Sequence, residues 1–234
     1  MNRIATIPLQ MTLANAISRA QGQLAITQQQ IATGKKAQSY ADLGTQSSRI
    51  LSAHSMIARQ EAHAAVAAQV GTTLSIYDAG MTTIDSSVSD LRQTLLQAIG
   101  TGQTTGLQAS IEGAFHEFRV SLNTTERGVA LFGGSQTEAV PFKVDTLPAL
   151  VGTLDADVFG NDYVRPSAEV SEGLSVDYGR TASEVGSGLY QAFRALAEAG
   201  PLGATPTPAQ TAKLNEALGL LDTGLAQLRN ANAD

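Results

Sequence analysis

From Val70 onward the apolar side chains fall at Leu74, Tyr77, Met81, Ile84, Val88, Leu91, Leu95 and Ala98, alternating steps of four and three. That spacing is a coiled-coil seam rather than ordinary amphipathicity. It predicts one proline-free helix from Gln46 to Ile99. Upstream the seam reads Ile50, Ala53 and Ile57, then gives way to an alanine patch at Ala62, Ala64, Ala65, Ala67 and Ala68. The two registers do not join, so a stutter is expected between them. At ~1.5 Å per residue the helix would reach roughly 80 Å, the length of a rod.

Shorter periodic stretches flank it. Pro8 permits a helix start, after which Leu13, Ile17, Ala20, Leu24, Thr27 and Ile31 form a second heptad seam with glutamines opposite. Gly34 is placed as its C-terminal cap, with Lys35 and Lys36 near the negative end of the dipole, and residues 37–44 read as a linker. Beyond the long helix, Gly100-Thr101-Gly102 breaks the pattern, and Leu107, Ile111, Phe115, Phe118 and Leu122 predict an antiparallel return. From Val129 to about residue 180 the apolar runs shorten and turn residues multiply, which reads as short strands and loops. Gly133 and Gly134 are expected in a tight turn there, at least one with positive φ. Helical period returns with Leu189, Phe193 and Leu196 and stops at Gly200-Pro201. Thr207, Pro208 and Gln210 form a capping-box start for a third clean seam at Leu214, Leu218, Leu221, Leu225 and Leu228.

This order predicts a mainly α fold, an elongated antiparallel helical bundle or coiled-coil rod with a small inserted β-rich domain. The expected segments are 1–42 (coiled-coil helix and linker), 43–128 (long-helix hairpin), 129–180 (β-rich insertion) and 181–234 (returning helices). The rod core is assigned to the seams from Val70 to Leu95, Leu107 to Leu122 and Leu214 to Leu228. The last seam is still in full repeat near its final residues, so a C-terminal partner helix is expected to be missing. The seam from Leu13 to Ile31 then has no partner in the chain and is assigned to assembly.

Composition narrows the function. Hydrophobic residues make up 43% of the 234, but aromatic ones only 5%, favouring interdigitated aliphatic seams over one thick core. A net charge of −6 with 15% charged residues leaves no basic face, since Lys35 and Lys36 are the only adjacent basic pair; nucleic acid is therefore not expected as a partner. No run approaches the ~20 apolar residues of a membrane span, and Thr6, Pro8 and Gln10 interrupt any signal-peptide core. The absence of cysteine removes disulfides, thiolate chemistry and cysteine zinc sites.

No constellation organises a reaction. His54, His63 and His116 lack metal-ligand spacing. Gly34-Lys35-Lys36 fails as a phosphate loop because Gln29 replaces the first glycine and Lys36 the Ser or Thr. Gly100, Gly102 and Gly106 follow a helix rather than a strand, unlike a dinucleotide fingerprint. Asp155, Asp157 and Gly160 open like a calcium loop, yet Pro166 stands where the bidentate Glu belongs. The chain is therefore expected to be no enzyme and to hold no cofactor or metal.

Two stretches carry a resemblance. Gln28-Gln29-Gln30-Ile31-Ala32-Thr33-Gly34-Lys35-Lys36, after an N-terminal heptad helix, resembles the Q-L-A/S-T/S-G signature of bacterial flagellin-type axial proteins. Gly128-Val129-Ala130-Leu131-Phe132-Gly133-Gly134-Ser135-Gln136-Thr137 with Pro141-Phe142 is similar to the Y-L-F-x-G-x-x-T…P-F segment of the hook-filament junction members (hook-associated protein 3). At Ala41-Asp42-Leu43-Gly44 such proteins more often carry an acidic pair. The resemblance implies a rod domain, an outer β-containing domain and terminal helices that pair in the inner tube of the flagellum. It also implies export without a cleaved signal peptide through the flagellar type III exporter, often with a chaperone, and an extracellular ring that meets a hook-side junction protein and flagellin. The alternatives are flagellin itself and, from another class, a secreted coiled-coil effector or adhesin.

Overall fold

The computed structural model describes residues 6–37 and 39–233. The first five residues of the expected 1–42 segment, Gln38 of its linker and Asp234 lie outside them. The chain forms two compact units, one up to Gln60 and one from Glu61 onward.

In the first unit, helix α1 (Thr6–Thr33) has Pro8 in its first turn, where a missing N–H costs nothing, and ends at Gly34. The expected linker carries a short 3-10 helix, Ala41–Gln46. Helix α2 (Ser47–Thr101) begins there, where the Ser47 hydroxyl donates to the Gly44 carbonyl at 2.8 Å.

The second unit holds α2 from residue 61, α3 (Leu107–Leu122), α5 (Ala182–Glu198) and α6 (Pro208–Ala233). Between α3 and α5 run β1 (Thr125–Glu126), β2 (Val129–Ala130), the short helix α4 (Asp155–Val158), β3 (Ser167–Ser171) and β4 (Leu174–Asp177). Helix α6 lies antiparallel to α2: Arg229 pairs with Asp85 at 2.7 Å, Arg92 with Asp222, and Asn232 donates to Asp78 at 3.1 Å. It also lies antiparallel to α5, where Lys213 meets Glu198 at 2.8 Å. The fold is mainly α with a small β part.

Helix α5 is the most enclosed of the long helices. Ala182, Val185, Gly186, Leu189, Tyr190, Ala192, Phe193, Ala195 and Leu196 are all buried along it. A Cβ placed on Gly224 of α6 would stand 2.9 Å from the Leu189 amide nitrogen and 3.0 Å from the Gly188 carbonyl carbon. The two backbones therefore meet without side chains between them.

Three expectations change. Leu74 is 44% exposed, and Thr73 is buried in its place. The Thr73 hydroxyl donates to the Glu126 carboxylate at 2.7 Å, a polar contact that an apolar pattern cannot register. Leu218 is only partly buried while Ala217 is fully covered, because the close α5–α6 approach puts small residues on the centre line. Finally, the β part opens at Thr125, ahead of the expected boundary at 129, and among the described residues its short strands are two hairpins plus one bridge between Phe142 and Phe159. Leu131, Phe132, Phe142, Val144, Leu147, Leu150 and Val158 join the same hydrophobic cluster as the helices. Pro141, Pro148 and Pro166 withhold ladder donors along this stretch, and its apolar residues serve as anchors into the helical core. The remaining rod-core residues Val70, Tyr77, Met81, Ile84, Val88, Leu91, Leu95, Leu214, Leu221, Leu225 and Leu228 are buried.

The helix contact makes a direct comparison available within α6. Gly224→Ala is expected to cost about 1–3 kcal/mol by overpacking against Leu189. Gly219→Ala, where a Cβ meets nothing within 4 Å, is expected to gain up to about 1 kcal/mol of helix propensity. Urea unfolding of the two variants measures both.

Candidate assembly surface

Every side chain of α1 from Ile7 to Gln29 is exposed. The seam residues Leu13, Ile17, Leu24 and Ile31 are 61%, 51%, 58% and 78% exposed, and Ala20 and Thr27 lie open between them. Thr27 returns its hydroxyl to the Gln23 carbonyl at 2.9 Å, so it presents its methyl group to the seam. Leu9 extends the stripe by one step of four. Ile7, Met11 and Ile26, which the heptad reading passed over, are also more than half exposed and lie on the opposite side of the helix. A helix that is apolar in more than one direction can take neighbours on more than one side. Arg19 is the one ionised side chain of α1.

The first stretch of α2 is similar in kind. Leu51, Met56 and Ile57 are exposed in the first unit, Val66 and the alanine patch in the second, and Val70 is the first buried α2 residue.

The expected turn at Gly133 and Gly134 is held by Asp162. Its carboxylate accepts from the Ser135 hydroxyl, from the Ser135 N–H at 2.9 Å and from the Val164 N–H at 3.0 Å. Gly134 has φ +68°, and a Cβ there would lie 3.0 Å from the Asp162 carbonyl oxygen. The Ser135 hydroxyl, then the two backbone donors, hold the Asp162 pKa below its ordinary value. Nearby, the Tyr77 hydroxyl donates to the Leu131 carbonyl. Burial first, then the Tyr178 and Glu126 charges, push its pKa up to about 12.

The candidate chemistry is spent on structure. Asp155 pairs with Arg194 at 2.7 Å from the start of α4. His63 Nδ1 lies 3.5 Å from the Glu169 carbonyl oxygen, and His54 and His116 are exposed. Among the described residues no three His, Asp or Glu side chains gather as a metal site, and no helix is long and apolar enough to cross a membrane.

No protein-family model matches the sequence, and no curated protein matches it. Solved structures do. The chain is similar to a protein assigned as a flagellar hook-associated protein from Vibrio parahaemolyticus, with a TM-score of 0.68 and 18% identity, over 83% of this chain and 87% of that one. It is also similar to FlgL from Bacillus cereus, with a TM-score of 0.63 and 17% identity, over 80% of this chain and 87% of that one. The fold is shared with these flagellar proteins.

Two outcomes follow from this geometry. The folded-state pKa of Asp162 is depressed, so the stability it contributes is complete above its ordinary value of 3.8 and is lost as pH falls through the lower folded value. Asp162→Asn should be less stable than the parent at pH 6, and the gap should shrink as thermal melts are taken below pH 3.8. Separately, none of the described side chains of α1 is buried to support it, and isolated helices are marginal in water. Hydrogen exchange should find amides from Leu13 to Ile31 opening before those from Ile84 to Leu95.

Proposed function

We propose that this chain is a structural protein of the bacterial flagellum, working outside the cell as an adaptor that joins hook to filament by helical self-assembly. The fold likeness to flagellar proteins supports the organelle. The observation that carries the assembly role is the open α1 seam of Leu13, Ile17, Ala20, Leu24, Thr27 and Ile31. Each large side chain there gains roughly 1.5–3 kcal/mol when fully buried, so four of them offset much of the roughly 4–15 kcal/mol lost on association. Its partners are further copies of itself in a ring, a hook-side junction protein on one side and flagellin on the other, with export in unfolded form assisted by a chaperone. The assignment involves no reaction and no cofactor.

Leu13→Ser, Ile17→Ser and Leu24→Ser together test this reading. The purified triple variant should melt within about 1 kcal/mol of the parent, as surface-like positions do, yet cells carrying it should make hooks without filaments. A loss of several kcal/mol with assembly reduced only in proportion would place α1 inside the folded core instead. Counting copies in sheared filaments separates the adaptor from the bulk subunit: thousands per filament would mean flagellin.

A further inference from the structure

The β1–β2 hairpin has the shortest strands among the described residues, two residues each. Glu126 accepts from Gln69 Nε2 at 2.8 Å and from the Thr73 hydroxyl at 2.7 Å, so one carboxylate grips two successive turns of α2. Its register pairs Glu126 with Val129 and Thr125 with Ala130, leaving Arg127 and Gly128 as the two-residue turn. Both have positive φ, +54° and +85°, as a type I′ turn requires. Asparagine, aspartate or glycine suits the first of these positions. Here it is arginine, the one non-glycine residue with positive φ among the described residues. Strain of this kind persists where the surrounding structure over-determines it, and it clusters at functional positions. The Arg127 side chain is exposed, and neither a hydrogen bond nor an ion pair engages its guanidinium. Val129, 44% exposed, stands beside it.

We propose that this hairpin tip, with Arg127 at its point, docks on a carboxylate-bearing surface of a second copy of this chain. The inference rests on the self-assembly reading and names a contact away from α1. Charge identifies the occupant. The chain carries 21 acidic against 15 basic side chains, and the exposed carboxylates of Asp90, Glu117, Glu138 and Asp157 are in no ion pair. An arginine tip cannot pair with its own image, because two guanidinium groups repel. The tip must therefore meet a different patch of its neighbour, and where that contact is head-to-tail it builds rings or helical arrays. The Glu126 grip pre-organises the tip, which lowers the ordering cost of docking.

Sedimentation velocity of the full chain at low salt tests the proposal with three proteins. The parent should show concentration-dependent association. Arg127→Glu should weaken it at least tenfold, since like charges face each other across the contact. Arg127→Gly should weaken it severalfold while melting at the same or a higher temperature, because glycine relieves the positive φ. Arg127→Glu associating as the parent does would overturn the proposal, as would Arg127→Gly melting lower, which would make the arginine a folding residue. The Leu13, Ile17 and Leu24 serine variant separates the two ideas. If it abolishes association while Arg127→Glu leaves it intact, the tip contact fails and the seam stands. If the reverse holds, the seam fails and the tip stands. A parent that stays monomeric at every concentration overturns both.

Discussion

The second unit depends on how Phe142 is held. Asn123, one residue past the end of α3, donates its side-chain amide to the Phe142 carbonyl at 2.9 Å and accepts the Phe142 N–H at 2.8 Å. One side chain thus satisfies both backbone groups of Phe142, which the bridge to Phe159 leaves unused because its hydrogen bonds run through Pro141, Lys143, Val158 and Gly160. Phe142 is thereby pressed against Phe118 at 5.2 Å and Phe159 at 5.7 Å, while Phe118 reaches Phe193 of α5 at 5.3 Å. These two contacts of Phe142 are edge-to-face, an arrangement that adds to area burial. The long excursion between α3 and α5 becomes part of the helical core through this chain of rings, and α5 is closed in from the side that α6 does not cover.

The first unit is built on the opposite principle. Its helix α1 carries a heptad stripe yet is exposed from Ile7 to Gln29, whereas α5, apolar along one face, buries residues on every turn. Periodicity measures the capacity of a helix to pair; burial records whether a partner is present. In the assembly we propose, a chain that keeps both kinds of helix separates folding from association. The core from Tyr77 to Leu228 holds its unit together, and the α1 apolar surface remains available for contacts between molecules.

Much of the fold is legible from the heptads, because a seam residue packed by aliphatic neighbours announces itself by spacing alone. The long helix, its antiparallel return, the Gly34 stop and the Thr207–Gln210 capping box are all of this local kind, the last closing with the Thr207 N–H on Gln210 Oε1 at 2.9 Å. What spacing misses is decided between elements. Thr73 displaces Leu74 because Glu126 arrives from a hairpin 53 residues away. Ala217 displaces Leu218 because Gly224 lets another backbone come close. The 129–180 stretch is readable as short strands and loops from its apolar runs and turn residues, but spacing does not show that Leu131, Phe142 and Val158 join the helical core. In the candidate surface the seam positions are local and readable, while Asp162, Asn123 and Glu126 act across the chain and carry no local signature.

The α1 helix has one ionised side chain in 28 residues, so charge pairing at flanking positions, a common source of coiled-coil specificity, is almost unavailable to it. Discrimination must come from the shape of the seam and from its off-pattern positions. Ala20 makes a notch between Ile17 and Leu24. Thr27, its hydroxyl already satisfied at the Gln23 carbonyl, offers a small branched surface without a buried unsatisfied donor. A partner helix that places a large knob against Ala20 and a small one against Leu24 is favoured over any other register, because a misfit leaves either a void or a clash. Apolar burial of this kind responds weakly to ionic strength, whereas a contact through an exposed guanidinium is screened by it. In the assembly we propose, the two surfaces divide the work, with knob size on α1 setting register and charge at the hairpin tip setting which face of a neighbour is met.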